Sequence, residues 1–285
     1  MRLSIAVLAS VGLAFLMLGQ AEAQNRIVSV GGDVTEIVYA LGAGDQVIAT
    51  DSTSVYPPEA AQTPKVGYVR QLSAEGVLSL EPDLILISGA AGPDTALEQI
   101  RASGVPVVQM ETAYTVDSII EKTNRIAEAL GRDAEGDALA AEISASWGMS
   151  KQQVATADLS PRVLFFATFA DSAPRAAGAE TAAQGVIDLI GGENVFADQT
   201  GYKSLSFEAA VAADPDIILV MDQNVIRAGG LEALTSHPAV SLTTAVQTGR
   251  VFIVDAVRIM QFGPRTPEAV SQLANEISEG LSGEG

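Results

Sequence analysis

The chain has no cysteine among its 285 residues. That excludes disulfides, thiolate metal sites and a cysteine nucleophile. It also excludes lipid attachment at a cysteine behind an export signal. Histidine occurs once, as His237 in the turn Ser236-His237-Pro238. With no Gly-x-Ser-x-Gly elbow in the chain, a Ser-His-Asp triad has no support. A single histidine without cysteine also argues against a dedicated zinc or manganese centre. Cations are scarce: 16 Lys and Arg against 35 Asp and Glu, a net charge of −19. Such a balance disfavours nucleic acid and anionic membrane surfaces as partners, although a few local cations can still dominate a cleft. Aromatic residues make up only 5% of the chain.

Long apolar runs are also lacking, with one exception at the start, residues 5–18. It follows Arg2 and precedes the small-x-small site Ala21-Glu22-Ala23, the pattern of an export signal cleaved before Gln24. The run is too short for a spanning helix. The expectation is a soluble, exported protein without membrane insertion, in a periplasm-like space. The roughly 262 residues that remain exceed a typical single core and suit two lobes.

What the chain does contain is an internal repeat. The stretch Leu72-Ser73-Ala74-Glu75 through Pro82-Asp83-Leu84-Ile85-Leu86-Ile87 aligns without a gap on Leu205-Ser206-Phe207-Glu208 through Pro215-Asp216-Ile217-Ile218-Leu219-Val220. Each copy reads as a short helix, a Pro-Asp break and a buried strand. A Gly-Tyr pair precedes each, Gly67-Tyr68 and Gly201-Tyr202, which places the two tyrosines on comparable loops of two related lobes. Clefts between lobes are where small ligands usually bind.

Elsewhere short apolar strands alternate with helices, which implies parallel sheets covered on both faces. Strands are expected over residues 26–30, 47–50, 104–109, 162–166, 217–220 and 250–254. Helices are expected over 34–41, 98–103, 117–130, 181–190 and 231–234, with a last one starting near Thr266-Pro267. Gly131 breaks the helical spacing, and Asp133 can cap a further helix to about residue 155, long enough to join two lobes as a stiff strut. Gly31-Gly32-Asp33 follows a strand and opens a helix. It completes neither Gly-x-Gly-x-x-Gly nor a Walker sequence, and reads as a tight turn with Asp33 capping the helix.

The most specific segment is Lys65-Val66-Gly67-Tyr68-Val69-Arg70-Gln71-Leu72-Ser73-Ala74-Glu75-Gly76. It resembles the axial-ligand segment of periplasmic haem-binding proteins from haemin ABC importers, members of the class III (helical-backbone) substrate-binding protein family. The resemblance extends to Val30-Gly31-Gly32-Asp33-Val34-Thr35-Glu36-Ile37, Gly201-Tyr202-Lys203-Ser204-Leu205-Ser206 and Phe262-Gly263-Pro264-Arg265-Thr266-Pro267. It implies an α/β fold of two Rossmann-like lobes with parallel sheets joined by a single long helix. The corresponding division is a signal peptide over 1–23, an N-terminal lobe over 24–131, a connecting helix over 132–158 and a C-terminal lobe over 159–285.

The resemblance also implies a periplasmic carrier that catalyses nothing, binds ferric haem as its transported ligand through Tyr68, and hands it to an inner-membrane ABC permease and its ATPase. The chemistry is coherent: ferric iron is a hard acid, phenolate a hard base, and tyrosine a known haem ligand. A neighbouring guanidinium and the bound iron both favour phenolate. Arg70, Lys65, Lys203, Arg227, Arg258 and Arg265 are candidates to meet the haem propionates. Tyr202 and Met260 are candidates for the cleft wall. Some relatives carry a second-haem histidine in the loop that here spans residues 167–175. This loop has none, so one five-coordinate haem is expected, resting mainly on aliphatic side chains. Glu75 and Glu208, equivalent in the repeat, are expected to dock on the permease, where two separated charges fix orientation; both also suit the first turn of a helix. A monomer is expected. A ferric siderophore or cobalamin remains open as cargo, as does a hydrolase using Glu36 and Asp33.

Overall fold

The computed structural model describes residues 26–157, 160–168, 174–238 and 240–282. The signal segment and residues 169–173 of the loop without histidine lie outside them. The first lobe holds a parallel sheet of β1 (Ile27–Val30), β2 (Val47–Thr50), β5 (Leu84–Ile87) and β6 (Val107–Gln109), in the order β2-β1-β5-β6. A separate antiparallel hairpin, β3 (Gly67–Tyr68) with β4 (Gln71–Leu72), pairs Tyr68 with Gln71. The sheet strands are mainly apolar because both faces are covered. Val28, Val30, Ile85 and Ile87 enter one core layer, while Ile27 and Leu86 enter the other, the period-2 alternation of a pleated strand.

The second lobe repeats this plan. Its central strands are β7 (Arg162–Thr168), β11 (Ile217–Met221) and β12 (Val251–Val254), all parallel. Val163, Phe165, Ile217 and Leu219 pack into one layer, and Leu164, Phe166, Ile218 and Val220 into the other. At the far edge β8 (Arg175–Ala177) and β10 (Tyr202–Ser204) add antiparallel pairs, and the short β9 (Glu193–Asn194) joins β7 in parallel. The sequence pattern did not reveal this antiparallel edge, because three-residue strands carry almost no periodicity.

The repeat is visible atom by atom. Ser73 caps one short helix, accepting from Gly76 N at 3.2 Å, and Ser206 caps its counterpart, accepting from Ala209 N at 3.1 Å. Glu81 and Asp214, at matching positions, both have positive φ, 48° and 37°. Asp83 Oδ2 accepts from Arg26 N at 2.9 Å, and Asp216 Oδ2 from Arg162 N at 2.7 Å. The Pro-Asp signature therefore ties each repeat strand to the first strand of its own lobe.

Helix Val116–Leu130 starts in a reciprocal capping box of Thr115 and Ser118 and ends at left-handed Gly131. Its first turns, Val116 and Ile119, belong to the second lobe's core, whereas Ile126 and Ala127 belong to the first. The next helix, Asp133–Ala157, spans about 37 Å. Its Ser150 hydroxyl donates to Pro267 O of the C-terminal helix Thr266–Ser282 at 2.7 Å. Asp133 is the first residue of the helix itself rather than a residue preceding it.

Candidate functional site: the cleft between the lobes

In a parallel α/β sheet the loops at the carboxyl ends of the strands converge on one edge, and ligands bind there. Here the turns after β1, β5 and β6 supply Gly31-Gly32-Asp33, Ser88 and Ala90, and the segment from Glu111 to Tyr114. They meet Val69 and Arg70 from the turn of the β3–β4 hairpin. The second lobe closes the space with Ala182, Met260, Gln261 and Phe262. The resulting cavity measures about 100 Å³.

The turn after β1 depends on glycine at its first position. Gly31 has φ of 106°, a conformation side chains rarely adopt. A Cβ on Gly32 would lie 2.1 Å from the side-chain oxygen Oε1 of Gln261 on the opposite lobe, so the Gln261 side chain would have to move aside. The amides are held by buried Asp51, which accepts from Gly31 N at 2.8 Å, and by Thr53, which accepts from Gly32 N at 3.2 Å. Asp33 therefore does not cap the helix Gly32–Ala40, contrary to the sequence expectation. It lies inside the first turn. Its carboxylate accepts from Lys122 Nζ at 2.5 Å and from Ser88 Oγ at 3.3 Å, and Lys122 also reaches Phe262 O across the cleft at 3.3 Å.

Two further ties cross the interface. Gln261 Nε2 donates to Thr53 O at 3.0 Å. Arg265 forks onto Glu36, with Nε to Oε1 at 3.1 Å and Nη2 to Oε2 at 2.9 Å, while its guanidinium lies 3.3 Å from the Tyr56 ring centroid. Asp33 and Glu36 are thus each matched by a cation. As a general acid and base for hydrolysis, neither is uncommitted.

The structure separates the candidate cations. Arg70 lines the cavity, and among the described residues its guanidinium has no hydrogen-bond or ion-pair partner. Arg265 does not line it; the Glu36 pair occupies it fully. Lys65 folds its ammonium onto Thr50 Oγ1, Ser54 O and Ala60 O at 2.7, 2.8 and 2.9 Å. Burial lowers its pKa, and Asp51 partly opposes that shift. Its role here is to pin a loop. Arg258 pairs with Glu268 at 3.0 Å and with Gln272 at 2.5 Å on the C-terminal helix, away from the cavity. Lys203 on β10 and Arg227 in the last turn of helix Asp222–Ala228 are exposed. His237 lies in the turn after helix Leu231–Thr235 and is not part of the cavity wall.

The tyrosines also differ from expectation. Tyr68 stands on its hairpin beside the cavity-lining Val69 and Arg70, and 42% of it is exposed. Tyr202 is drawn into the edge of the main sheet, paired with Ala177, and is half-buried. A third tyrosine escaped the sequence reading. Tyr114 lines the cavity and packs its ring on Phe262, with centroids 5.3 Å apart. Its signal was only its place in the loop after β6, at a strand's carboxyl end. Burial raises the pKa of both Tyr114 and Tyr202. For Tyr114, Arg70 opposes the shift and Asp33 adds to it. For Tyr202, Tyr114 adds to it, while Arg70, a hydrogen bond with Thr181 and the charge of Arg175 oppose it. Met260 lines the cavity. Glu75 and Glu208 are exposed in the first turns of helices Ala74–Leu78 and Phe207–Ala213.

No helix among the described residues is long and apolar enough to cross a membrane. The family described as "Periplasmic binding protein" matches residues 27–257. The periplasmic heme-binding protein RhuT from Roseiflexus sp. RS-1, solved in apo form, is 37% identical with a TM-score of 0.86, covering 90% of this chain and 99% of that one. The heme-binding protein BhuT, solved with two hemes, is 36% identical with the same TM-score and the same coverage. A cobalamin-binding protein of Halobacterium salinarum is 30% identical over 88% of this chain and 69% of its own length.

Proposed function

Given that the chain belongs to the periplasmic binding protein family, whose members are transport substrate-binding proteins rather than enzymes, we propose that it carries ferric haem and binds the iron through Tyr68. The observation that carries this reading is the half-exposed Tyr68 phenol on a rigid hairpin, two residues from an unpaired Arg70 at the cleft. A side chain left open to solvent beside a ligand cavity has no packing role to satisfy. A phenol there offers a hard oxygen to ferric iron. A porphyrin ring does not fit into about 100 Å³; in this reading it lies outside the cavity, against the hairpin that carries Tyr68. Lys203 and Arg227, both exposed on the second lobe, are available to carboxylates that point to solvent.

As a substrate-binding protein the chain works with a membrane permease and its ATPase. We assign the docking contacts to Glu75 and Glu208, one per lobe, exposed and held in identical capped frames.

The test is a haemin titration followed in the visible spectrum. Wild type binds with a phenolate-to-iron charge-transfer band, and Tyr68→Ala loses the band and most of the affinity. Equal affinity in the variant overturns the assignment. The 30% identical cobalamin-binding relative gives the competing cargo a specific basis. Cobalamin needs no phenolate, so a protein that binds it equally well with and without Tyr68, and ignores haemin, belongs to that reading.

A further inference from the structure

We propose that the cavity between the lobes is a carboxylate pocket, in which Arg70 and the Tyr114 hydroxyl hold one acid arm of the cargo while the ring lies outside. The proposal rests on the haem reading and adds to it a residue and a subsite. Three observations carry it. The first is size: about 100 Å³ is far below the several hundred that drug-sized ligands occupy, yet holds a short acid arm. The second is charge. Asp33 is matched by Lys122 at 2.5 Å, which leaves Arg70 as the wall's cation without a partner among the described residues. Glu111 also lines the wall, and its charge opposes an anion there. The third is the supply of donors. Tyr114 lines the cavity, and its ring is held by its contact with Phe262. Tyr202 stands close enough for Tyr114 and Arg70 to act on its charge. A phenol is protonated at neutral pH in any case, and burial shifts both further that way, so they donate to a carboxylate rather than repel it.

An unpaired guanidinium and a neutral hydroxyl converging on one small space are the partners a carboxylate needs. A cationic arm would meet Arg70. A neutral arm would leave that guanidinium without the counter-charge it lacks.

The experiment compares haemin with haemin dimethyl ester, in which both acid arms are capped. Wild type prefers haemin. Tyr114→Phe, which keeps the ring on Phe262, lowers haemin affinity roughly tenfold. It leaves ester affinity and the charge-transfer band unchanged. Arg70→Gln lowers haemin affinity more than ester affinity; any loss shared by the two reports its place beside Tyr68 rather than the pocket. Glu111→Gln tightens haemin at low salt and not the ester. Equal losses for haemin and ester, or no loss for either, overturn the pocket while the Tyr68 assignment stands. Wild type that does not bind haemin at all overturns both.

Discussion

The Arg265 guanidinium of the second lobe grips the Glu36 carboxylate of the first with two parallel bonds, 3.1 and 2.9 Å long, and its backbone amide adds a third at 3.2 Å. Glu36 is buried, with 5% of its side chain exposed. A planar fork on a buried carboxylate fixes distance and orientation together. With the bonds from Lys122 Nζ to Phe262 O and from Gln261 Nε2 to Thr53 O it holds the cleft at three points.

Arg265→Ala leaves that carboxylate buried without its cation. The expected loss is about 3 kcal/mol, the low end for a broken buried pair because Arg265 itself is partly solvated. Adding Glu36→Gln removes the uncompensated charge, so the double variant unfolds at higher urea than the single. A single-variant loss under about 1 kcal/mol, the size of an exposed ion pair, would show that the fork does not hold the lobes.

Lys65 presents the opposite case, a cation of the signature segment that serves the fold. Its ammonium has three acceptors within 2.9 Å. Lys65→Met removes the ammonium from Ser54 O, while Ala60 O keeps the Thr63 hydroxyl, and costs about 2 kcal/mol, measured by urea unfolding, with haemin affinity unchanged. Weakened haemin binding at intact stability would return Lys65 to the list of propionate partners.

Much of the lobe plan was legible because it depends on buried strands and on the Pro-Asp repeat, whose aspartates are bound to backbone amides in both lobes. The cleft was harder to read. Arg258, Arg265, Lys65 and Arg70 look alike as letters. Only the fold decides that three of them are paired and one is not. Asp33 read as a cap because it follows two glycines, yet the cap comes from Asp51, which is distant in sequence and brought there by β2. Tyr114 had no motif around it. Its meaning comes from standing at the carboxyl end of β6, opposite Phe262.

The paired glutamates predict a separation of binding from delivery. Reversing both, Glu75→Lys with Glu208→Lys, leaves haemin affinity intact and abolishes uptake in vesicles carrying the permease. Each single reversal slows uptake less than the pair, and added salt narrows the difference, because exposed charges act mainly on encounter and are screened. Uptake at the wild-type rate in the double variant would reject the docking assignment.

The two cleft phenols set an alkaline limit on stability. Both have folded pKa values above the ordinary 10.0, chiefly through burial. Above that pH the unfolded chain gives up these protons first, so it binds fewer than the native state, and unfolding becomes easier as pH rises. The loss begins near 10.0 and continues up to the folded pKa values. Lys65 acts in the other direction. Its folded pKa lies below the ordinary 10.5, so the unfolded chain binds more protons there, and this contribution to stability grows with pH. The phenol effect is therefore read as a difference: Tyr114→Phe and Tyr202→Phe each flatten the alkaline fall relative to wild type. Each also removes a late-ionising phase from the phenolate absorbance titration. If neither variant changed that late phase, the two phenols would ionise as freely as exposed ones, and burial would not be what raises their pKa values.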